Sequence, residues 1–249
     1  MEKPAISTHS QSQGRVVFFF GLPGSGKGTQ ADFLADRYGF FHFDTGKEIQ
    51  RIVHDPAHAN DPVIQEHRKV FESGVLNDPT WVRQLIHDRV GDFATKGTPL
   101  VFSGSPRTLE EAEDEIPFLE KLYGKDNLLP VLIEISEDTG VHRNSHRRIC
   151  EQCRRAIIWM EETKNMTQCP TCGGRLITRG SLDDAEIIRK ERIPQYLTRT
   201  KPVLEFLERE HIPLIKINGE QSVEKVHTDI MKVLNLEARL PSGSRASKF

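Results

Sequence analysis

A glycine-rich turn followed by a lysine is the stretch of this sequence best suited to binding phosphate. Residues 16–20, VVFFF, predict a strand that is buried on both faces, and the turn 21–26, GLPGSG, follows at once. Glycines let backbone N–H groups gather around an anion, and Lys27 would begin a helix whose N-terminus attracts phosphate. The strict phosphate-loop pattern fails by one residue, because Gly28 follows the lysine and the hydroxyl comes at Thr29. The strand, lysine and helix around the turn still favour a phosphate-binding loop over an ordinary turn.

The cysteines form a second group with a chemically meaningful spacing. All four lie between residues 150 and 172, as the pairs Cys150/Cys153 and Cys169/Cys172 with two residues inside each pair. Two such pairs are typical of a tetrahedral four-thiolate zinc site, in which each pair forms one knuckle. Four thiolates leave no open coordination position, so we interpret the metal as structural. Free or disulfide-bonded cysteines are the alternative interpretation, which the spacing disfavours.

Composition sets limits on the class of protein. The chain has 249 residues, of which 37% are hydrophobic and 28% charged, which is typical of one large α/β domain or one domain with insertions. A formal charge of −2 implies no general nucleic-acid partner. The sequence contains no apolar run long enough to cross a membrane and no secretory h-region, so we expect a cytoplasmic protein. Residues 1–14 and 237–249 are expected to be disordered.

The elements that must position these residues alternate along the chain. Strands are predicted over residues 16–20, 40–43, 100–102, 128–135 and 213–217, with helical segments between them. This order predicts an α/β fold with a parallel, doubly wound five-stranded sheet. Ligands of such sheets bind beyond the carboxyl ends of the strands. The phosphate loop and the segments 44–46 and 103–107 follow strands and should therefore converge on one cleft.

Helix signals around this sheet give further expectations. Asp44 can begin a helix, with Thr45 and Glu48 matching a capping box. Residues 47–74 are polar and predict a helical insertion with a thin core. A basic helix is predicted over residues 139–148, and two separate helices over 183–193 and 202–210.

Taken together, these motifs resemble the adenylate kinase family, in the form whose lid domain holds zinc. GLPGSGKGTQ is similar to its phosphate loop, and Ser105-Pro106-Arg107-Thr108 lies where the family has Phe-Pro-Arg-Thr. Asp44-Thr45-Gly46 and residues 73–76 resemble the two ends of its monophosphate-binding insertion, and the cysteine segment resembles its zinc lid. The resemblance covers roughly residues 15 to 235. It implies a single kinase domain over 15–236, divided into a core (15–44, 78–146 and 185–236), a monophosphate-binding insertion (45–77) and a zinc lid (147–184).

The resemblance also implies a set of site residues. The implied catalytic residues are Lys27, Arg107, Arg147, Arg179 and Arg192. The implied ATP-binding residues are Gly24, Ser25, Gly26, Lys27, Gly28, Thr29, Arg143 and Gln221. The implied acceptor-binding residues are Thr45, Gly46, Arg51, Leu76, Gly104, Arg107 and Glu111. Zinc would be bound by Cys150, Cys153, Cys169 and Cys172, and ATP would be used with Mg²⁺.

Three positions depart from the family pattern. Ser103 stands where the family has an aspartate that helps to organise Mg²⁺ waters, so we expect a weak response to low Mg²⁺. The acceptor-binding arginine falls on Gln50, with Arg51 one place away, and the glutamine that binds the AMP base falls on Glu111. The donor side is therefore closer to the family than the acceptor side is.

The leading functional interpretation is ATP-dependent phosphoryl transfer to a nucleoside monophosphate, with AMP as the expected acceptor. One alternative is a kinase of the same fold with another nucleotide acceptor. The other is a weakly catalytic nucleotide-binding regulator that uses the zinc lid as an interaction module, with Arg154, Arg155 and Trp159 as its surface. The expected partners are nucleotides only, without a membrane or nucleic acid, and the expected state is a monomer.

Overall fold

A five-stranded parallel sheet forms the centre of the protein, as the alternating sequence pattern predicts. The computed structural model describes residues 14–72, 77–157, 159, 163–178 and 183–236. The sheet has the order β2-β3-β1-β4-β8 and is parallel throughout. Its strands are β1 (Val16–Phe20), β2 (Phe41–Phe43), β3 (Leu100–Phe102), β4 (Leu128–Glu134) and β8 (Ile215–Asn218); a second, antiparallel sheet contains β5 (Arg148–Cys150), β6 (Ala156–Ile157) and β7 (Leu176–Ile177).

Helices cover both faces of the parallel sheet. In chain order they are α1 (Lys27–Tyr38), α2 (Thr45–Val53), α3 (Pro62–Glu72), α4 (Pro79–Thr95), α5 (Leu109–Tyr123), α6 (Glu137–Ser145), α7 (residues 185–209) and α8 (Val223–Val233), with short 3₁₀ segments at Pro56–His58 and Lys125–Asn127. None of the described helices combines the length and the apolar composition that crossing a bilayer requires.

Strand β1 explains why the sequence begins with an uninterrupted apolar run. Its residues are all 2% exposed or less. Val16, Phe18 and Phe20 face the core that includes α4, α5 and the end of α7, whereas Val17 and Phe19 face the core that includes α1 and α8. Because side chains alternate between faces, only a strand that is covered on both sides needs apolar residues at every position.

Two smaller units project from the sheet. Helices α2 and α3 share a small core with α4, centred on Ile49, Val53 and Leu85, which agrees with the thin core predicted for the insertion. Strands β5, β6 and β7 carry the cysteine segment, which follows α6. Both units lie beyond the carboxyl ends of parallel strands, where the chain is free to extend without disturbing the sheet.

Several predicted boundaries are wrong. The two helices predicted over 183–193 and 202–210 form one continuous helix, α7, in which the segments Ile188–Arg192 and Tyr196–Thr200 are π-helical. The basic helix ends at Ser145 rather than at residue 148, and the last strand is Ile215–Asn218 rather than 213–217. Pro194 and Pro202 each lie at the start of an α-helical stretch that follows a π-helical segment, and the helix continues through both.

The capping box predicted for α2 is also wrong. Asp44 is the N-cap residue, and its side chain accepts a hydrogen bond from the Lys47 backbone N–H at 3.2 Å. Glu48 does not reach back to the cap, because its buried carboxylate accepts hydrogen bonds from Arg51 and Arg89, each at 3.2 Å. The two predicted disordered ends lie outside the described residues, except for Gly14, which is buried.

Candidate active site

The turn after β1 has the backbone conformation that a phosphate-binding loop requires. Gly21, Gly24 and Gly26 have φ values of 140°, 88° and 95°, in the region that side chains avoid. A Cβ atom on Gly24 would lie 2.4 Å from the Gly140 carbonyl oxygen of α6, so the loop also packs too closely for a larger residue. Gly28 and Thr29 follow in the first turn of α1, as predicted. Loop and helix together present the backbone N–H groups that attract phosphate.

Lys27 lies at the centre of this loop. Its Nζ donates hydrogen bonds to the carbonyl oxygens of Gly21 at 2.7 Å and Leu22 at 3.0 Å. Burial, with the positive charges of Arg192, Arg107 and Arg147, lowers the pKa of the lysine to about 7. A bound polyphosphate would neutralise these arginines and favour the charged lysine. The site therefore has an excess of positive charge that fits an anionic ligand.

A cleft of about 910 Å³ opens beside the loop at the carboxyl ends of the strands. Its size suits nucleotide-sized ligands. The segments predicted to converge do meet here: the phosphate loop, Asp44 and the segment from Ser103 to Thr108 all line the cleft. Of the predicted site residues, its wall contains Gly24, Gly26, Lys27, Gly28, Thr29, Gly104, Arg107, Glu111, Arg143, Arg147, Arg192 and Gln221. Ser25 is buried behind the loop, where its backbone N–H donates to the Leu22 carbonyl at 3.1 Å.

Buried Asp183 holds two of the cleft arginines in place. Its side chain is 4% exposed, and its Oδ1 lies 2.5 Å from Arg147 Nη2 and 3.8 Å from Arg192 Nη1. Arg147 comes from the segment between α6 and β5, and Arg192 from the first π-helical segment of α7. One carboxylate thus fixes two guanidinium groups that originate on elements far apart in sequence. Arg179, the remaining predicted catalytic arginine, lies outside the described residues.

The segment after β3 is organised around Arg107. Its guanidinium donates to the Gly104 carbonyl, its backbone N–H donates to Glu111 Oε2 at 2.7 Å, and its carbonyl accepts from the Thr200 hydroxyl at 3.0 Å. Behind this segment, Ser105 Oγ lies 2.8 and 2.9 Å from the two carboxyl oxygens of buried Glu115, within hydrogen-bond distance of both. Burial raises the pKa of Glu115 to about 8, although the Ser105 hydrogen bond opposes the shift.

The predicted acceptor-binding residues of the insertion are less closely gathered. Thr45 and Gly46 begin α2 directly after Asp44, which lines the cleft. Arg51, whose side chain is 44% exposed, pairs with Glu48 instead of joining the described cleft wall. Leu76 and the rest of residues 73–76 lie outside the described residues.

Sequence reasoning missed the partner of Glu48. Arg89 of α4 pairs with this carboxylate, and its guanidinium lies 4.4 Å from the ring centre of Phe93. An arginine that is both ion-paired and stacked on an aromatic ring is held in one orientation. The sequence carries no spacing signal for this pair, because 41 residues separate the two side chains.

Gln221 and Asn144 border the ATP side predicted for the cleft. The Gln221 side-chain amide donates to the Asn218 carbonyl and to Asp229, at 2.9 and 3.0 Å. Asn144, which sequence reasoning also missed, is buried, donates to the Gly140 carbonyl at 3.1 Å, and has an Oδ1 without a partner among the described residues. Arg143 lies beside it on α6 and lines the cleft.

The four cysteines come together as the spacing predicts. Their sulfur atoms all lie within 4.8 Å of one another, with 3.4 Å between Cys150 and Cys172 and 3.7 Å between Cys153 and Cys169. A zinc ion bonded to four sulfurs at about 2.3 Å would place them about 3.8 Å apart, so this cage has the dimensions of a structural zinc site. A Cβ on Gly174 would lie 2.8 Å from the Cys150 sulfur, which explains the glycine after the last knuckle.

Among the described residues of the lid, Arg155 and Trp159 contact the core. Arg155 Nη2 donates to both carboxylate oxygens of Asp36 on α1, at 3.0 and 2.8 Å, and Arg155 Nε lies 4.0 Å from Asp32 Oδ2. Trp159 meets the rings of His142 and His146 of α6, with ring centres 5.7 and 5.2 Å apart. Of the three residues considered above as an interaction surface, Arg155 and Trp159 therefore contact this chain's own core, although Trp159 is still 40% exposed, and Arg154 is exposed.

Comparison with known proteins identifies the family to which this chain belongs. The family model described as adenylate kinase matches residues 19–212. The chain belongs to the adenylate kinase family. It is 31% identical over 222 residues to the adenylate kinase of Petrotoga mobilis, an alignment that covers 88% of this chain and 96% of the relative. It is also 30% identical over 224 residues to the Chlamydia pneumoniae enzyme and 33% identical over 223 residues to that of Kosmotoga olearia, covering 90% and 89% of this chain and 99% and 98% of those relatives.

The family assignment agrees with the geometry. An adenylate kinase needs a site for two phosphorylated nucleotides, and the cleft brings a phosphate loop and several arginines together around one volume. The fold predicted from the sequence, a phosphate-loop kinase with a parallel five-stranded sheet, is confirmed.

Proposed function

We propose that this protein transfers a phosphoryl group from ATP to AMP, forming two molecules of ADP, in the cleft between the phosphate loop and the arginines. The observation that carries the proposal is the convergence of Lys27, Arg107, Arg147 and Arg192 on one cleft. Family membership and the names of the relatives support the same reaction. As a member of this family, the protein is a phosphotransferase.

Each charged group has a defined task in the proposed reaction. Lys27 and the loop N–H groups bind the β- and γ-phosphates of ATP, with Gly24, Gly26, Gly28 and Thr29 shaping that site. Arg147 and Arg192, fixed by Asp183, offset charge on the phosphoryl group as it moves. Arg143 and Gln221 border the donor nucleotide, and Arg179 is proposed to join them.

Arg107 is proposed to bind the acceptor phosphate. Its position is set by contacts to Gly104, Glu111 and Thr200. Thr45, Gly46, Arg51 and Leu76 are proposed to border the acceptor nucleotide. The protein contributes position and charge, because phosphoryl transfer asks for two anions held in line with water excluded.

Two metals fit the residues present. Thr29, Asp44 and Ser103 offer oxygen atoms to the cleft, which suits Mg²⁺ carried by the nucleotide. Mg²⁺ bound to ATP neutralises charge on the phosphate oxygens. The four-cysteine cage has the ligands and dimensions for Zn²⁺, and its closed shell supports a structural role.

The function is tested by measuring ADP formation from ATP with AMP, GMP, CMP and UMP in separate reactions. We expect AMP to give the highest kcat/KM. A higher value with another monophosphate would favour the alternative acceptor raised by Gln50 and Glu111. No ADP with any acceptor, in zinc-replete protein that binds ATP, would contradict the kinase assignment and favour a nucleotide-binding regulator.

The proposal extends to the compartment and the oligomeric state of the protein. We propose a cytoplasmic monomer that binds nucleotides and needs no nucleic-acid partner. The formal charge of −2 supports this, and Arg155, one of the basic residues of the lid, is paired with Asp36 on α1. Light scattering after gel filtration should give the mass of one chain, 28.4 kDa.

A further inference from the structure

Three polar side chains form a hydrogen-bonded chain that ends in the cleft. His42 Nδ1 lies 2.8 Å from Asp32 Oδ1, and His42 Nε2 lies 2.7 Å from Ser103 Oγ. The side chains of His42 and Asp32 are only 11% and 19% exposed. Ser103 lines the cleft together with Lys27 and Thr29. A carboxylate is thus connected through two hydrogen bonds to the site where phosphates bind.

The fold brings these residues together from three elements. Asp32 is on α1, His42 is on β2, and Ser103 directly follows β3. His42 pairs with Val101 in the parallel sheet, and Val101 belongs to the core beneath α1. Side chains two residues apart in a strand share a face, so Ser103 follows Val101 on the side of the sheet that α1 covers.

The direction of the hydrogen bonds follows from what each group can donate. A carboxylate only accepts, so His42 Nδ1 carries the proton that it donates to Asp32. In the neutral imidazole Nε2 is then an acceptor, and the Ser103 hydroxyl donates its single proton to it. Ser103 Oγ is then left with lone pairs, and it presents an acceptor to the cleft.

We infer that Asp32 and His42 are positioning residues that hold Ser103 Oγ as a hydrogen-bond acceptor for the water shell of nucleotide-bound Mg²⁺. This inference rests on the proposed function. The oxygen donors of Thr29, Asp44 and Ser103 line the same cleft and are of the type that Mg²⁺ and its waters prefer. Asp32 thereby acts through His42 to fix the orientation of the Ser103 hydroxyl, which stands where the family has an aspartate.

The test measures how much Mg²⁺ strengthens the binding of a non-hydrolysable ATP analogue, by calorimetry with and without the metal. Asp32→Asn and His42→Gln should each reduce this enhancement by about 5-fold, the effect of losing one oriented hydrogen bond, and should leave metal-free binding unchanged. Asp36→Asn is the matched control, because Asp36 is on the same helix and binds the same Arg155 without contacting His42. Its enhancement should equal that of the wild type.

A second pair of variants separates positioning from general support of the fold. In a Ser103→Asp background, the carboxylate reaches the cleft directly, so adding Asp32→Asn should no longer change the enhancement. An equal loss in both backgrounds, or equal enhancement in Asp32→Asn and Asp36→Asn, overturns the inference.

The tautomer can be measured in the wild-type protein, without any variant. Two-bond ¹H–¹⁵N spectra should show His42 protonated at Nδ1 and not at Nε2, and the opposite tautomer overturns the inference. Failure of the wild type to bind the analogue would contradict the proposed function, and this inference with it. Binding that Mg²⁺ strengthens equally in wild type and Asp32→Asn contradicts this inference alone.

Discussion

At the scale of single residues, the positive charge of Lys27 lowers the stability of the free protein, although the proposed reaction needs that charge. Burial of its ammonium group, together with the positive charges of Arg192, Arg107 and Arg147, lowers its pKa to about 7 from an ordinary 10.5. Between these two values the unfolded chain binds more protons than the folded one, so this lysine makes the unfolding free energy rise with pH. Below pH 7 the full cost of its charge is present in the free protein.

Replacing Lys27 should therefore separate activity from folding. Lys27→Met should lower kcat by about 100- to 1000-fold, the usual cost of removing one group that stabilises developing charge. Its unfolding free energy at pH 6 should equal or exceed that of the wild type, as measured by urea denaturation. Lys190→Met, at an exposed lysine that pairs with Glu186, is the control and should leave both quantities unchanged. Full activity in Lys27→Met would show that the loop is not the catalytic site.

Glu115 gives a pH dependence of the opposite sign. Its pKa of about 8 in the folded protein lies above the ordinary 4.5, so the folded protein keeps a proton that the unfolded chain releases. The unfolding free energy should then fall as the pH rises from 4.5 through 8. Glu115→Gln keeps an acceptor for Ser105 and removes this dependence.

We expect Glu115→Gln to gain stability over the wild type as the pH increases, by a few kcal/mol at pH 9, with little difference at pH 4. Urea denaturation at both pH values measures the difference in unfolding free energy between the variant and the wild type. The matched control is Glu113→Gln, at an exposed position of the same helix. If the two variants have the same pH profile, the buried carboxyl is not protonated in the folded protein.

At the scale of elements, we expect the cysteine-bearing lid to depend on a bound zinc ion more than on its own core. Strands β5, β6 and β7 are two or three residues long, too short to form a stable sheet alone. We therefore expect metal binding to provide much of the folding free energy of this unit. The lid is also the source of Arg155 and Trp159, which reach α1 and α6.

Removing zinc should loosen the lid and lower thermal stability. We expect elemental analysis to give one zinc per chain, and a chelator to lower the melting temperature by about 5–15 °C. The control is the same chelator saturated with zinc beforehand. Absence of stoichiometric zinc in metal-replete protein would contradict the assignment of Cys150, Cys153, Cys169 and Cys172 as ligands.

At the scale of the whole molecule, the cleft is lined by residues from separate elements, and we expect bound nucleotides to hold these elements in one arrangement. The phosphate loop contributes Lys27, the segment between α6 and β5 contributes Arg147, and α7 contributes Arg192. Occupation of both nucleotide sites should hold these parts in one arrangement. Ligands that bind only the folded protein stabilise it by mass action.

We expect a non-hydrolysable ATP analogue and AMP, each at about 100 times its Kd, to raise the melting temperature by about 5–10 °C each. Differential scanning calorimetry measures the shift. In Lys27→Met the shift from the analogue should shrink, whereas the shift from AMP should persist. Equal loss of both shifts would mean that Lys27 supports the whole cleft rather than the donor phosphates.

The sequence by itself determined the sheet, the phosphate loop and the cysteine cage. Each rests on a local rule: an apolar strand buried on both faces, glycines with positive φ before Lys27, and two cysteine pairs with knuckle spacing. Local rules survive folding because the backbone conformations that they specify do not depend on distant partners.

Only the tertiary structure decided which side chains meet across the fold. The ion pair of Glu48 with Arg89, the bridge of Asp183 between two arginines, and the chain from Asp32 through His42 to Ser103 all join residues from different elements. Hydrogen bonds and ion pairs depend on distances of a few ångströms, and no spacing along the sequence encodes those distances between elements. The sequence predicted two helices in place of α7 for a related reason. The π-helical segments of α7 change the number of residues per turn, so the apolar periodicity of one stretch does not continue into the next.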